Sequence, residues 1–432
     1  MAADGVVPPA QAKRPTLLLV LLGLAGFLSI FDQVITVSSV PFMRNPAALT
    51  TALTLGLYVW YRRAGVPLYQ GAQQWMIAFL FFTGLVELVR WIWTGEPEVF
   101  RYMQWVQVVI LAIVTVDLAR DRRALALVWG GVVAAVVFMG VATVVGLPTF
   151  TLVLEGRVGF AGVNLNTQGY WSALAATTVL WWLLARWPRF GWQGVITLAV
   201  LGVLLLALVQ TASRSGLLAL VIGFAIVLAL SLRTRNISAY ATIVPVALLL
   251  AAGYLADATV LRERFAEALT GEDLGVRDVL VVHGIDLVSR EPLFGYGPAF
   301  LEVLGDARGL NRAISSHNTY LQVALTFGLP ALLLWFGIVV SALARAWRSW
   351  NREREEVGAL MVALVAASLA FGLVGDLGFN KFFWVMIALA AQTPVATDAP
   401  TRATVERPYA PAHPVPVPST GVYDVAQDDG HA

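Results

Sequence analysis

The amino-acid sequence predicts an all-α membrane protein, a polytopic bundle of transmembrane helices. Of its 432 residues, 58% are hydrophobic and only 13% are charged. Soluble domains are roughly 25% charged and about 45–50% apolar, so a soluble protein of this length could not bury so much apolar surface. The apolar residues also form continuous runs of helical span length rather than alternating stretches, which excludes a transmembrane β-barrel.

About twelve apolar runs have the length that crosses a hydrocarbon core of roughly 30 Å at about 1.5 Å per residue. They lie at 15–31, 46–61, 75–94, 101–119, 124–147, 167–185, 193–211, 214–232, 238–256, 319–344, 357–375 and 380–396. We therefore predict about twelve spans.

Basic residues in the short loops predict that both chain ends are cytoplasmic. If the N-terminus lies inside, the inner loops hold roughly three times as many Arg and Lys residues as the short outer loops, as the positive-inside rule requires. The chain then divides into a cytoplasmic N-terminal segment (1–14), spans one to nine (15–256), an extracytoplasmic loop (257–318), spans ten to twelve (319–396) and a disordered, proline-rich cytoplasmic tail (397–432).

The long outer loop is expected to contain short helices that lie in the membrane interface. Residues 262–269 form an amphipathic stretch, and residues 279–288 are apolar on one side. Loops of this length are more often functional than idle.

The composition excludes several kinds of chemistry. The chain has no cysteine, which rules out disulfides, thiolate nucleophiles and Cys-based metal sites. Its four histidines are not spaced as metal-ligand pairs, and we find neither a Walker motif nor a dinucleotide fingerprint. We therefore predict no metal, no cofactor and no nucleic-acid partner.

Unusual polar residues fall in five clusters that the predicted topology puts on the outer side. These clusters lie at 156–166, 211–216, 277–297, 315–320 and 376–384. Arg214 is the most informative residue, because a lone arginine between two strongly apolar spans opposes the charge rule and is costly to bury unpaired. By contrast, we expect Glu87 and Arg90, three residues apart in one span, to pair with each other, and Asp376 and Lys381 could form a structural ion pair.

Together the clusters indicate a phosphorylated substrate on the outer side. The planar fork of arginine suits phosphate oxygens, and histidine can accept or donate a proton near neutral pH. Arginines can also stabilise a diphosphate leaving group without a metal. The residues therefore predict transfer from a polyprenyl diphosphate carrier outside the cytoplasm.

Over residues 150–395 the sequence resembles the O-antigen ligase and O-antigen polymerase superfamily of bacterial membrane glycosyltransferases. Three short motifs in the right order carry the resemblance. They are Ser213-Arg214-Ser215 before an apolar helix, Arg277 followed by the segment 292–297, and His317-Asn318-Thr319-Tyr320-Leu321 followed by Gly328.

The resemblance implies an inverting, metal-independent transfer of a glycan from undecaprenyl diphosphate at the bacterial inner membrane. Arg214 and Arg277 would bind the diphosphate, with Arg157 as a third contact. His317 would act on the acceptor hydroxyl or position the donor. The supporting substrate-binding residues are predicted to be Ser213, Ser215, Asn318, Tyr320 and Lys381.

Several alternatives remain open at this point. A ligase attaches a finished glycan to a lipid, protein or glycan acceptor, whereas a polymerase joins repeat units, and the two share these motifs. We favour a ligase-like enzyme, because the late outer loop carries the Arg and His motifs. A peptidoglycan polymerase is disfavoured because its outer-loop aspartate motif has no match here. A transporter or flippase for lipid-linked glycans would need charges along a path inside the spans, and only Glu87 and Arg90 are clearly embedded.

Overall fold

A computed structural model describes the greater part of the chain. The described residues are 16–28, 46–61, 71–95, 99–119, 122–154, 156–186, 191–232, 259–260, 263, 266, 274–297, 300–306, 316–353 and 355–392. The predicted N-terminal segment at 1–14, the ninth span at 238–256 and the tail at 397–432 lie outside them, as does most of the stretch 262–269.

The described residues form fourteen helices and one two-stranded hairpin. The helices are α1 (Thr16–Leu28), α2 (Pro46–Tyr61), α3 (Ala72–Thr94), α4 (Val99–Leu118), α5 (Arg122–Val145), α6 (Leu165–Arg186), α7 (Trp192–Gln210), α8 (Arg214–Ser231), α9 (Leu274–Arg290), α10 (Phe300–Asp306), α11 (Thr319–Phe327), α12 (Leu329–Glu353), α13 (Glu356–Gly372) and α14 (Lys381–Ala391). The strands are β1 (Thr151–Leu154) and β2 (Arg157–Phe160).

The helices confirm a mostly helical, membrane-spanning protein. Within the described part of the chain, five helices are long and apolar enough to cross a membrane, namely α3, α7, α8, α12 and the segment Ala126–Val145 of α5. Other apolar helices, including α13 and α14, are shorter. The total of twelve spans stays a prediction.

Two local features differ from the predicted fold. Residues 319–344 do not form one continuous span, because the chain breaks at Gly328, where φ is +85°. A methyl group there would overlap the Leu293 carbonyl, and Pro330 follows in the first turn of α12, a position that proline tolerates well. The predicted all-α fold also missed the antiparallel hairpin, in which Leu154 pairs with Arg157 and the connecting turn contains Gly156 at φ +73°.

Aromatic packing holds helices α3, α4, α11 and α14 together. Trp105 of α4 is fully buried and contacts Phe327 of α11 edge-on, with ring centroids 5.5 Å apart. Phe79 of α3 and Trp384 of α14 lie 5.9 and 6.5 Å from the same Trp105 ring. A second group of helices consists of α6, α8 and α13, which pack on one another. These two groups carry most of the predicted site residues at their ends.

Candidate active site

One end of the bundle collects most of the polar residues that the sequence selects. The start of α6 and the end of α13 lie together here, as shown by the hydrogen bond that Tyr170 donates to Ser368 over 2.7 Å. Helix α11 also begins here, since Asn318 Nδ2 lies 3.1 Å from the Leu373 carbonyl oxygen, just beyond α13. We call this end of the bundle the site end.

Arg157 is buried at the site end and links three elements. It begins β2 and is only 8% exposed. Its Nε donates to the carbonyl oxygen of Thr211 over 2.7 Å, and its Nη2 donates to Oδ1 of Asn166 over 3.0 Å. Arg157 therefore connects the hairpin to the α7–α8 turn and to the first turn of α6.

The α7–α8 turn presents Arg214 at the first position of α8. Ser213 caps the helix, and its Oγ accepts a hydrogen bond from the Gly216 amide over 3.0 Å and lies 3.3 Å from the Ser215 Oγ. Ala212 adopts the left-handed region at φ +45°, an uncommon conformation for a residue with a side chain. Arg214 is partly exposed, whereas both serines are buried. A cation at the positive end of a helix dipole is a suitable arrangement for binding an anion.

Helices α6 and α8 approach closely where they begin. A methyl group on Gly169 would lie 2.5 Å from Ser213 Cβ, and one on Gly216 would lie 2.7 Å from the Gly169 carbonyl carbon. Only glycine fits at these two positions, so the contact fixes the α7–α8 turn against α6.

His317 is exposed immediately before α11. Its backbone adopts the left-handed region at φ +48°. The next residue, Asn318, caps α11 by accepting hydrogen bonds from the amides of Tyr320 and Leu321 over 3.0 and 3.1 Å. The same Asn318 donates to Leu373, so it attaches the His317 segment to the end of α13.

Thr319 and Tyr320 strengthen that attachment. Thr319 Oγ1 donates to the Gly375 carbonyl oxygen over 2.8 Å and accepts from the Leu377 amide over 2.9 Å. The Tyr320 hydroxyl donates to the Leu369 carbonyl oxygen over 2.6 Å. The hydrogen bonds of Asn318 and Tyr320 position the segment that carries His317. Their predicted contacts with substrate stay a prediction.

Arg277 lies in the first turn of α9, and α9 and the loop after it pack on α11. A methyl on Gly284 would lie 3.1 Å from Leu321, and further along the chain the Tyr296 amide donates to Leu325 over 2.6 Å. Residue numbers therefore rise together along the two segments. This register directs the start of α9, with Arg277, towards the side of α11 at which His317 lies.

Asp376 lies between α13 and α14 at the site end, and Lys381 begins α14. Asp376 Oδ2 accepts from Gln322 Nε2 over 2.6 Å, and its Oδ1 accepts from the Gly378 amide over 3.0 Å. Burial raises the pKa of Asp376 from its ordinary 3.8 to about 6, and the two hydrogen bonds oppose that rise. Lys381 is only 7% exposed at the first position of α14.

The predicted pair of Glu87 and Arg90 is confirmed, with 2.7 Å between Oε1 and Nη1. Arg90 Nη2 additionally donates to the Phe294 carbonyl oxygen over 3.0 Å, across 204 residues of sequence. Sequence reasoning missed this second role, because a local i, i+3 spacing already accounted for both charges.

One comparison with known proteins bears on these residues. Residues 199–336 match the protein family described as O-antigen ligase. The matched segment contains Arg214, Arg277 and His317, whereas Arg157 and Lys381 lie outside it. No curated protein matches the chain.

Proposed function

This chain belongs to the O-antigen ligase and polymerase superfamily, and on that premise we propose that it is a ligase-like glycosyltransferase of the bacterial inner membrane. Its donor is a glycan carried on undecaprenyl diphosphate. Its acceptor is a hydroxyl group of a lipid, protein or glycan at the extracytoplasmic face. The chain spans the membrane about twelve times, and the site end faces outward.

The observation that carries the proposal is the grouping of Arg157 and Arg214 at the same end of the bundle as His317. Arg214 lies at the positive end of α8, and the register of α9 on α11 directs Arg277 towards this end as well. A diphosphate carries adjacent negative charges, and arginine donors are well suited to bind its oxygens.

The proposed reaction is a single displacement. The acceptor oxygen attacks the anomeric carbon of the glycan, and the bond from that carbon to the diphosphate oxygen breaks. Arg214 and Arg277 stabilise the charge that develops on the departing undecaprenyl diphosphate. His317 accepts the proton of the acceptor hydroxyl. The new glycosidic bond forms on the opposite face, which inverts the anomeric configuration.

Reconstitution with an undecaprenyl diphosphate-linked glycan and defined acceptors tests the function. We expect a new glycosidic bond, and expect Arg214→Ala and Arg277→Ala to lower transfer about 100-fold or more. Arg290→Ala is the matched control, because Arg290 lies on the same helix as Arg277 but pairs with Asp286 on the surface, 2.7 Å away. Wild-type transfer by either site variant would overturn the diphosphate role.

The same assay separates the related activities. Attachment of one whole glycan to a foreign acceptor supports a ligase, whereas extension of one carrier-linked glycan by another supports a polymerase. Movement of donor across the bilayer without a new bond would support a transporter and contradict the proposal.

The orientation is tested separately with introduced cysteines, because the natural chain has none. Val153 of the hairpin is 66% exposed at the site end, and Trp192 is 71% exposed at the start of α7, which lies at the opposite end. In intact cells an impermeant maleimide should label Val153→Cys and leave Trp192→Cys unlabelled until the cells are permeabilised. The reverse pattern would contradict the outward site.

A further inference from the structure

Arg90 occupies an unusual position for a residue of a membrane helix. It lies near the end of α3, and its side chain is 17% exposed. Beyond the pair with Glu87, its Nη2 lies 3.0 Å from the carbonyl oxygen of Phe294, 3.4 Å from that of Thr326 and 3.5 Å from that of Gly295. One guanidinium thus reaches the loop after α9 and the last turn of α11 together.

The loop after α9 is shaped around this contact. A methyl group on Gly297 would overlap the Arg90 guanidinium, and Gly297 has φ +71°. The loop is also joined to the break between α11 and α12, because the Leu329 amide donates to the Pro292 carbonyl oxygen over 2.7 Å. Trp93, three residues after Arg90, adds an edge-on contact to the Phe294 ring.

We propose that Arg90 is a positioning residue for glycan transfer, because it fixes the junction of α9 and α11 against α3. Both helices extend from this junction to the site end. Arg277 lies in the first turn of α9, and His317 lies two residues before α11 begins. The junction therefore sets the positions of both Arg277 and His317. The proposal rests on the proposed function for the roles of Arg277 and His317.

The competing explanation is that Arg90 only neutralises Glu87. Removing one partner of a buried ion pair leaves an uncompensated charge, which destabilises a protein whatever the other contacts do. The two explanations differ in what happens when both charges are removed. If neutralisation of Glu87 is the whole role, removing both charges should restore transfer activity. If the contacts of Arg90 with the carbonyl oxygens matter, the variant without either charge should remain slow.

Transfer kinetics of the full-length protein distinguish them. Arg90→Met keeps the apolar bulk but removes every donor, and we expect kcat to fall at least about tenfold with the donor KM changed less than about threefold, because small misplacements of reacting groups are costly. The double variant Glu87→Gln/Arg90→Met should be equally slow. Recovery of wild-type kcat in the double variant would overturn the proposal. Arg290→Met, on an exposed pair, serves as the control.

A distance measurement tests, independently of activity, whether Arg90 fixes the junction of α9 and α11 against α3. Spin labels are attached at Phe81→Cys on α3 and Val282→Cys on α9, because these two side chains are 76% and 65% exposed. Arg90→Met should broaden the distribution of distances between them. A control pair, Phe81→Cys with Val221→Cys on α8, where Val221 is 57% exposed, should keep its wild-type distribution. An unchanged 81–282 distribution would overturn the proposal, even if the protein made no glycan bond at all.

Gly297→Ala gives a second test in which both charged residues are kept. Its methyl group should displace the Arg90 guanidinium, so we expect the slow turnover and the broadened distribution of Arg90→Met. This variant keeps the proposal falsifiable if Arg90→Met does not accumulate in the membrane. Wild-type kinetics and distances in Gly297→Ala would contradict the positioning role of Arg90.

Discussion

The Nε of Arg157 donates a hydrogen bond to the carbonyl oxygen of Thr211 over 2.7 Å, although 54 positions separate the two residues in the chain. This bond joins the hairpin to the turn that presents Arg214. Arg157 therefore contributes to the architecture of the site as well as being a predicted contact of the diphosphate. A variant at this position should lose stability in addition to activity.

We predict that Arg157→Met lowers both the stability and the transfer activity of the protein. It removes the bonds to Thr211 and Asn166, and hydrogen bonds to charged groups are worth about 1.5–3 kcal/mol each. The measurement is unfolding of the purified protein by denaturant, together with the transfer rate. Arg290→Met should change stability by less than about 1 kcal/mol, because exposed ion pairs contribute little. If Arg157→Met had the same unfolding midpoint as the wild-type protein, the linking role would be wrong.

The imidazole of His317 can be removed without disturbing its backbone. Because His317 adopts φ +48°, replacement by alanine adds conformational strain to the loss of the ring. Asparagine tolerates the left-handed region better. We therefore expect His317→Asn to lower kcat about 100-fold or more while stability changes by less than about 0.5 kcal/mol. The comparison of kcat with unfolding midpoint checks this, and an unchanged kcat would remove His317 from the chemistry.

The helices were largely predictable from the sequence, and the long-range contacts of the site were not. Apolar runs such as 193–211 and 214–232 are local signals, and the structure has helices α7 and α8 there. The break at Gly328 depends on a close approach by Leu293, and no periodicity of residues 319–344 indicates it. The motif residues Asn318 and Tyr320 were identified as important, yet their hydrogen bonds to Leu373 and Leu369 involve a segment about 50 positions away.

Asp376 should make stability depend on pH. The folded state holds a proton on this carboxyl up to about pH 6, whereas the unfolded chain releases it near pH 3.8. Between these values the folded state binds more protons, so the contribution of Asp376 to stability falls as pH rises. Asp376→Asn removes this effect. The stability of the variant relative to wild type should therefore increase from pH 4 to pH 6 and stay constant above it.

Unfolding midpoints of both proteins across about pH 4–8 check this expectation. Asn keeps an oxygen that can accept from the Gly378 amide. Its new amino group faces the Gln322 amide, which can rotate to present its oxygen as the acceptor, so the loop after α13 should remain in place. A difference between the two proteins that did not vary with pH would show that Asp376 is not the group responsible.

The close approach of α6 and α8 predicts opposite outcomes for two glycine substitutions. Gly169→Ala would place a methyl group 2.5 Å from Ser213 Cβ, so one of the helices must shift. Overpacking of this kind costs about 1–3 kcal/mol. Gly202 lies inside α7, and a methyl group added there would have no neighbouring atom within 4 Å. Alanine is favoured over glycine in a helix by up to about 1 kcal/mol.

We therefore expect Gly169→Ala to lower the unfolding midpoint and Gly202→Ala to keep or raise it. Transfer activity should fall in Gly169→Ala alone, because the displaced turn carries Ser213 and Arg214, whereas Gly202 lies in the middle of α7, away from the site end. Equal midpoints and equal activities in the two variants would show that α6 and α8 tolerate a wider separation. The position of Arg214 would then depend on the Arg157 bond to Thr211 rather than on the glycine contact.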